Sequence, residues 1–281
     1  MRAWLVLVAV LCVPGVSAAL PRVVSTNQCA DMLALRLAAP EQLLSVSSKS
    51  RDPQLSSMAG QAQRVPVNHA SSEEIIALHP DLVLASRRWQ SHNQAELLRQ
   101  HGIEVVVVPY PTTWAQIFAS TRLVAAKLGR VEEGEALLAD VQARLDRLKQ
   151  HPRPLRALYL RPNGGSAGRD TYVDTVFQAV GVINHQAALG RSGWGRFNLE
   201  DLVRQPPDVF VSADMPIDRG YAKSAFSRHP FLQQLTATRP VLQVEGNRWG
   251  CSDWQLIFSA ERLAAQIDAL TALTALQLGQ Q

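Results

Sequence analysis

The chain has 281 residues, 47% of them hydrophobic and 19% charged, the balance of a globular protein with a buried core rather than of a disordered or fibrous one. Its formal net charge is +4 with no dense Lys/Arg run, which argues against nucleic acid as a partner. No Gly-x-Ser-x-Gly elbow, Walker loop or His-Glu-x-x-His pair is present, so the common hydrolase, nucleotide and zinc-protease signatures are missing.

The first residues read as a secretory leader, 1–19. Arg2 supplies the positive charge, and an apolar run over 4–13 is broken by Pro14-Gly15. Val16-Ser17-Ala18-Ala19 offers small residues for cleavage. The run is well short of the roughly 20 residues that a membrane span needs. The expected mature protein is exported, soluble and monomeric, and in a Gram-negative cell it is periplasmic. Of three cysteines, the leader carries one, which leaves Cys29 and Cys251. An even count in an exported chain permits one disulfide.

After the leader, strands are expected over 22–25 and 43–46, with a helix over 31–37 between them and a mostly irregular stretch over 49–62. A helix over 72–78 leads into a strand over 82–85, then a helix over 92–101 into a valine-rich strand over 104–108. Two helices follow, 113–128 and 131–149, the second about 28 Å long. His151-Pro152-Arg153-Pro154 ends it. A strand over 156–160, a Gly-rich turn over 164–168 and a helix over 171–180 come next. Further on are a short helical stretch within 222–235, a strand over 241–244 and a terminal helix over 253–273. Strands alternating with helices predict an α/β fold. Two parallel-sheet lobes, 20–112 and 151–281, are expected to be joined by a helical segment, 113–150, with a small hinge motion.

One pattern occurs twice. Ser71-Ser72-Glu73-Glu74-Ile75-Ile76 leads into His79-Pro80-Asp81-Leu82-Val83. Asn198-Leu199-Glu200-Asp201-Leu202-Val203 leads into Pro206-Pro207-Asp208-Val209-Phe210. Each copy has an N-cap residue with an acid three positions on, the start of a capping box. Each then has an apolar pair, a Pro-Asp turn and a strand. The repeat sets one glutamate, Glu73 or Glu200, at the same place on each lobe.

These features, with Arg22-Val23-Val24-Ser25-Thr26-Asn27-Gln28-Cys29 and Asn247-Arg248-Trp249-Gly250-Cys251-Ser252-Asp253-Trp254, resemble the solute-binding proteins of ABC importers. The resemblance is to the single-helix-linked class III periplasmic binding proteins for cobalamin, haem and ferric siderophores, and it runs from Arg22 to about Leu270. It implies a permease dimer with its ATPase as partner, a metal chelate as cargo and no cofactor of the protein's own. Glu73 and Glu200 match the acids that dock on permease arginines in that family. Fixed paired carboxylates of this kind set orientation and association rate.

Ligands of α/β lobes sit beyond the carboxyl ends of the strands. That rule nominates loops at 26–29, 49–52, 68–69, 87–89 and Tyr110 in the first lobe. In the second it nominates 161–169, 191–196, 214–219 and 248–254. The expected ligand contacts are Asn27, Cys29, Arg51, Arg87, Trp89, Arg169, Trp194, Arg248 and Trp249, with Trp194 and Trp249 foremost. Trp194 also matches a cleft tryptophan of cobalamin-type members of the family. Guanidinium and indole groups together suit a large anionic ligand with apolar faces. The arginines order the candidates as ferric siderophore, then a cobalamin-like corrinoid, then haem.

His69, His92, His185 and His229 lack metal-ligand spacing, and no protein metal site is expected. Cys29 and Cys251 stay open three ways: a disulfide across the lobes, ligands to a soft metal or haem iron, or small apolar cleft residues. The alternative to a binder is an exported sensor or enzyme domain on the same scaffold. The absence of a convergent acid/base set disfavours it.

Overall fold

The short β-branched runs of each half pair in parallel. A computed structural model describes residues 19–90, 94–161, 163–214 and 229–278. In the first lobe β1 (Val23–Ser25), β2 (Leu43–Ser47), β3 (Val67–Asn68), β4 (Leu82–Ala85) and β5 (Glu104–Val107) form one sheet in the order β3-β2-β1-β4-β5. In the second lobe β6 (Arg156–Tyr159), β8 (Ile183–Asn184), β10 (Val209–Asp214) and β11 (Val241–Glu245) form a sheet ordered β11-β10-β6-β8. Every pair in these two sheets is parallel. β1 and β4 are buried throughout, as expected of strands covered on both faces. β7 (Gly165–Ala167) and β9 (Trp194–Arg196) make a separate antiparallel ribbon.

The helices of the first lobe are α1 (Gln28–Leu37), α2 (Ala59–Ala62), α3 (Ser72–Ala77), α4 (Arg87–Gln90) and α5 (Gln94–Gln100). α6 (Trp114–Lys127) and α7 (Val131–Lys149) follow, then α8 (Tyr172–Val180), α9 (His185–Ala188) and α10 (Leu199–Arg204). The chain closes with Pro230–Thr238, a short helix Gly246–Trp249 and the terminal helix Leu256–Leu278.

The repeated module has a physical basis in both lobes. The Pro-Asp turn delivers each aspartate to the start of a neighbouring strand. Asp81 Oδ2 accepts the backbone N–H of Arg22 at 2.7 Å, and Asp208 Oδ2 accepts that of Arg156 at 2.7 Å. Each thereby satisfies a donor at the end of a sheet, where no ladder partner is available. Ser71 and Asn198 cap their helices, accepting from Glu74 N at 3.2 Å and Glu200 N at 3.1 Å.

α7 is the single long helix between the lobes. At its start Arg130 donates to the carbonyl of Leu37 in α1. Towards its end Arg144 pairs with Glu261 of the terminal helix at 3.0 Å. Arg153, almost fully buried, closes the junction with bonds to Asp268 at 2.6 Å and to the carbonyls of His151 and Val180.

Several sequence expectations shift. The helix expected over 92–101 is described from Gln94, residues 91–93 lying outside the described part, as do residues 1–18, where the leader is expected, and residues 215–228. The stretch expected within 222–235 is a helix at Pro230–Thr238. The Gly-rich turn at 164–168 contains β7, and β3 and β8 were not anticipated. Each of these strands is only two or three residues long, too short for alternation to register.

Helices α6 and α7 cross where Gly134 has no side chain, and a Cβ there would lie 2.5 Å from Cβ of Ala125. We expect Gly134→Ala to destabilise the protein by about 1–3 kcal/mol through overpacking, despite a gain of about 1 kcal/mol in helix propensity. Urea unfolding at neutral pH would measure the balance, and a stabilised variant would contradict the close crossing.

Candidate functional site

The carboxyl end of each sheet opens on a concavity of its own lobe. On the first lobe a concavity of about 400 Å³ is lined by 26–29 after β1, 47–49 after β2 and 68–70 after β3. On the second, one of about 290 Å³ lies among Ser166, Gly168, Gln186 and 191–196. Its wall is closely packed: a Cβ at Gly168 would lie 2.4 Å from the Arg191 carbonyl oxygen.

An aromatic cluster joins the lobes. Tyr110, after β5, stands 6.3 Å from Tyr172 of α8, measured between ring centroids. Tyr172 lies 5.4 Å from Trp194 and 5.5 Å from Trp249, and Tyr159 lies 6.2 Å and 5.7 Å from the same two indoles. Such edge and tilted pairs are the favoured aromatic geometries. Tyr110 and Trp194 keep 54% and 44% of their surface exposed, whereas Tyr159, Tyr172 and Trp249 are buried behind them. Arg161 sits 5.7 Å from the Trp194 ring centroid, within cation–π range. Burial pushes the Tyr172 hydroxyl well above its ordinary pKa, so it stays protonated.

Beside this wall the lobes are stapled. Cys29, at the start of α1, is disulfide-bonded to Cys251, with Cα atoms 5.0 Å apart. Around the bond, Tyr110 Oη donates to the Gly250 carbonyl at 3.2 Å and Ser252 Oγ to that of Pro111 at 2.6 Å. Asn247 Nδ2 donates to Pro53 O at 2.9 Å, and Ser57 Oγ bonds Gln255 Oε1. Three of the four described non-glycine residues with positive φ, Ala70, Asp170 and Ser252, lie in these cleft loops.

A periplasmic-binding-protein family model matches residues 23–240. The chain belongs to the periplasmic binding protein family. It is 22% identical over 218 residues to a Bacillus subtilis (strain 168) protein named as an uncharacterized ABC transporter substrate-binding lipoprotein, YvrC, covering 73% of this chain and 67% of that one. It is 26% identical over 261 residues to the vitamin B12-binding protein of Pectobacterium carotovorum, covering 90% of this chain and 91% of that one. Among solved structures, the periplasmic heme-binding protein HutB of Vibrio cholerae superposes with a TM-score of 0.69 at 19% identity, over 88% of this chain and 98% of that one. Both curated relatives are named as binding proteins, and no described helix of this chain is long and apolar enough to cross a membrane.

In this binding protein the nominated residues divide. Trp194 is half exposed in the wall, and Arg169, also exposed, holds the 191–193 loop through its backbone, accepting from Gly193 N at 2.7 Å. Asn27 lines the first concavity, but its Oδ1 accepts from Ala30 N and caps α1. Arg87 is exposed at the start of α4. Trp89 is half-buried, with Nε1 donating to the Ala70 carbonyl at 2.9 Å.

Three nominations are corrected. Arg51 turns inward, donating to the carbonyls of Ala62, the last residue of α2, and Val65 just beyond it. Arg248 packs 4.9 Å from the Phe258 ring centroid on the terminal helix. Trp249 is fully buried, a support for the two tyrosines rather than a ligand-facing surface. Cys29 stays among the residues lining the first concavity, and its bond to Cys251 is the disulfide reading of the pair, with no thiol left for a metal. Tyr159 and Tyr172 were missed; they bracket the nominated loop 161–169, one at the end of β6 and one at the start of α8.

Two buried carboxyls stand under the cleft. Asp31 Oδ2 accepts from Ser47 N at 3.1 Å and from the hydroxyls of Ser47 and Ser50, fixing the loop after β2. Burial pushes its pKa up to about 6, against the opposing hydroxyls; burial likewise pushes Asp253 up to about 6, against the amides of Gln255. Between about pH 4 and 6 the folded protein holds protons that the unfolded chain has released, so these groups lower stability as pH rises through that window. Comparing urea unfolding at pH 4.5 and 7.5, Asp31→Asn should stabilise the protein relative to wild type more at the higher pH. An equal effect at both would contradict the raised pKa. Replacing both bridging cysteines with serine should cost about 2–4 kcal/mol, read as the gap between guanidinium unfolding curves with and without reductant. No gap in the oxidised wild type would exclude the bridge.

Proposed function

We propose that this protein is the periplasmic solute-binding component of an ABC importer that carries a metal chelate in the inter-lobe cleft. A cobalamin-like corrinoid is the reading best supported, ahead of a ferric siderophore. The aromatic wall carries it: exposed Tyr110 and Trp194 offer one face from each lobe to a broad, partly apolar ligand. Sequence alone puts the siderophore first because of its arginines. Arg51 and Arg248 are engaged elsewhere, and that weakens the case for a highly charged ligand. Arg161 and Arg169 keep the siderophore as the second reading.

Glu73 and Glu200 are the acids that dock on the permease in this reading. Both are exposed second residues of equivalent helices, α3 and α10, and both lie one turn from a cleft loop.

Titration of intrinsic tryptophan fluorescence with cyanocobalamin, a ferric catecholate siderophore and haemin tests the cargo. Cyanocobalamin should quench at submicromolar concentration, and Trp194→Ala should weaken it about tenfold, or 1.4 kcal/mol. Tight haemin binding without a cyanocobalamin response would overturn the assignment. For docking, charge reversal at Glu73 and Glu200 together should abolish uptake and leave the affinity for cyanocobalamin unchanged. Equal loss of both would remove the docking role.

A further inference from the structure

Both copies of the repeated module depart from a capping box in the same way. In a capping box the third helical residue turns its side chain back onto the N–H of the cap residue. Glu74, third in α3, reaches past the cap. Its Oε2 accepts the backbone N–H of His69 at 2.7 Å, and Oε1 lies 3.6 Å from His69 Nδ1. Asp201, third in α10, pairs through Oδ2 with the guanidinium of Arg191. His69 lines the first-lobe concavity and Arg191 the second-lobe one. In each lobe, then, two consecutive acids face different ways: Glu73 and Glu200 outward to solvent, Glu74 and Asp201 back to a loop of the cleft.

The loops they hold are finely constrained. Next to His69, Ala70 has φ 61°, with its N–H on Asn68 Oδ1 at 3.1 Å and its carbonyl receiving Trp89 Nε1. Arg191 also donates to Gln186 Oε1 at 3.3 Å and to the Arg196 carbonyl at 3.2 Å, and Gly190 and Gly193 on either side have positive φ. A displaced helix start moves such a loop directly, because only one side chain lies between them.

We propose that Glu74 and Asp201 are positioning residues that couple permease docking to the ligand cleft, each within its own lobe. The inference rests on the reading of Glu73 and Glu200 as the docking acids. Force applied at the outward acid is transmitted through the next residue to the cleft loop, and by reciprocity an occupied cleft presets the docking surface.

The test follows hydrogen exchange of the oxidised, full-length mature protein, free and bound to the importer's permease–ATPase complex in nanodiscs, with no ligand added. Docking should change exchange at 68–71 and at 190–197 in the wild type by at least about threefold. Glu74→Gln should erase the response at 68–71 alone, and Asp201→Asn that at 190–197 alone. Both variants should bind the permease within about twofold of wild type. Residues that merely cap would raise exchange in the free protein and leave the docking response in place, which would overturn the coupling. So would a wild type that shows no docking response in either loop. Two single variants, each read at its own lobe with the other lobe as an internal control, keep the result decisive if one of them folds poorly. Glu73→Gln/Glu200→Gln separates the two ideas. If that pair binds the permease as well as wild type, the docking reading fails and the coupling with it. If it loses about tenfold or more while Glu74→Gln and Asp201→Asn keep their loop responses, only the coupling fails.

Discussion

The relation between the lobes depends on the chain crossing from the second lobe onto the first at residues 249–258. Trp249 is buried beneath the aromatic wall, Cys251 is bonded to α1, and Ser252, at φ 51°, turns the chain so that its hydroxyl reaches Pro111. Trp254 lies 5.9 Å from the Arg36 guanidinium, and Gln255 meets Ser57. Phe258 takes Arg144 of α7 at 5.0 Å and Arg248 at 4.9 Å. Burying one large aromatic side chain contributes about 1.5–3 kcal/mol, and each neutral hydrogen bond about 1 kcal/mol. Packing and the four hydrogen bonds between the lobes therefore contribute comparably, and the directional contacts select one angle between the lobes.

That fixed angle gives the module its meaning. Two rigid units, each built from a helix start, a Pro-Asp turn and a buried strand, are held at constant spacing. The strand end supports the cleft and the helix start faces outward. In the proposed reading, cargo and transporter are read from different edges of one body.

Much of this was legible in the sequence because it rests on local chemistry. Strands rich in valine and leucine, Pro-Asp turns and the long helix over 131–149, with few breakers, declare themselves within a few residues. The loops of the cleft followed from the strand-end rule, but the direction of their side chains did not. Trp249 comes directly after the last strand, yet it sits on the short helix Gly246–Trp249, which rotates it inward. Arg51 meets the carbonyls of Ala62 and Val65, a contact visible only once α2 was folded. Tyr159 and Tyr172 fell just outside the nominated loop, because ring reach carries strand-end and helix-start residues into the same wall. The cysteine pair stayed open because no local pattern encodes a contact 222 residues apart.

That separation has a topological consequence. The peptide chain runs from the first lobe through α7 into the second, and the bridge returns from the second to the first, so the oxidised protein is a covalent ring with a short leading segment and a helical tail. A single cut in α7, or in the 150–154 turn beyond it, would open the ring without releasing either lobe. The two fragments would stay together at the base of the cleft, and only reduction would free them.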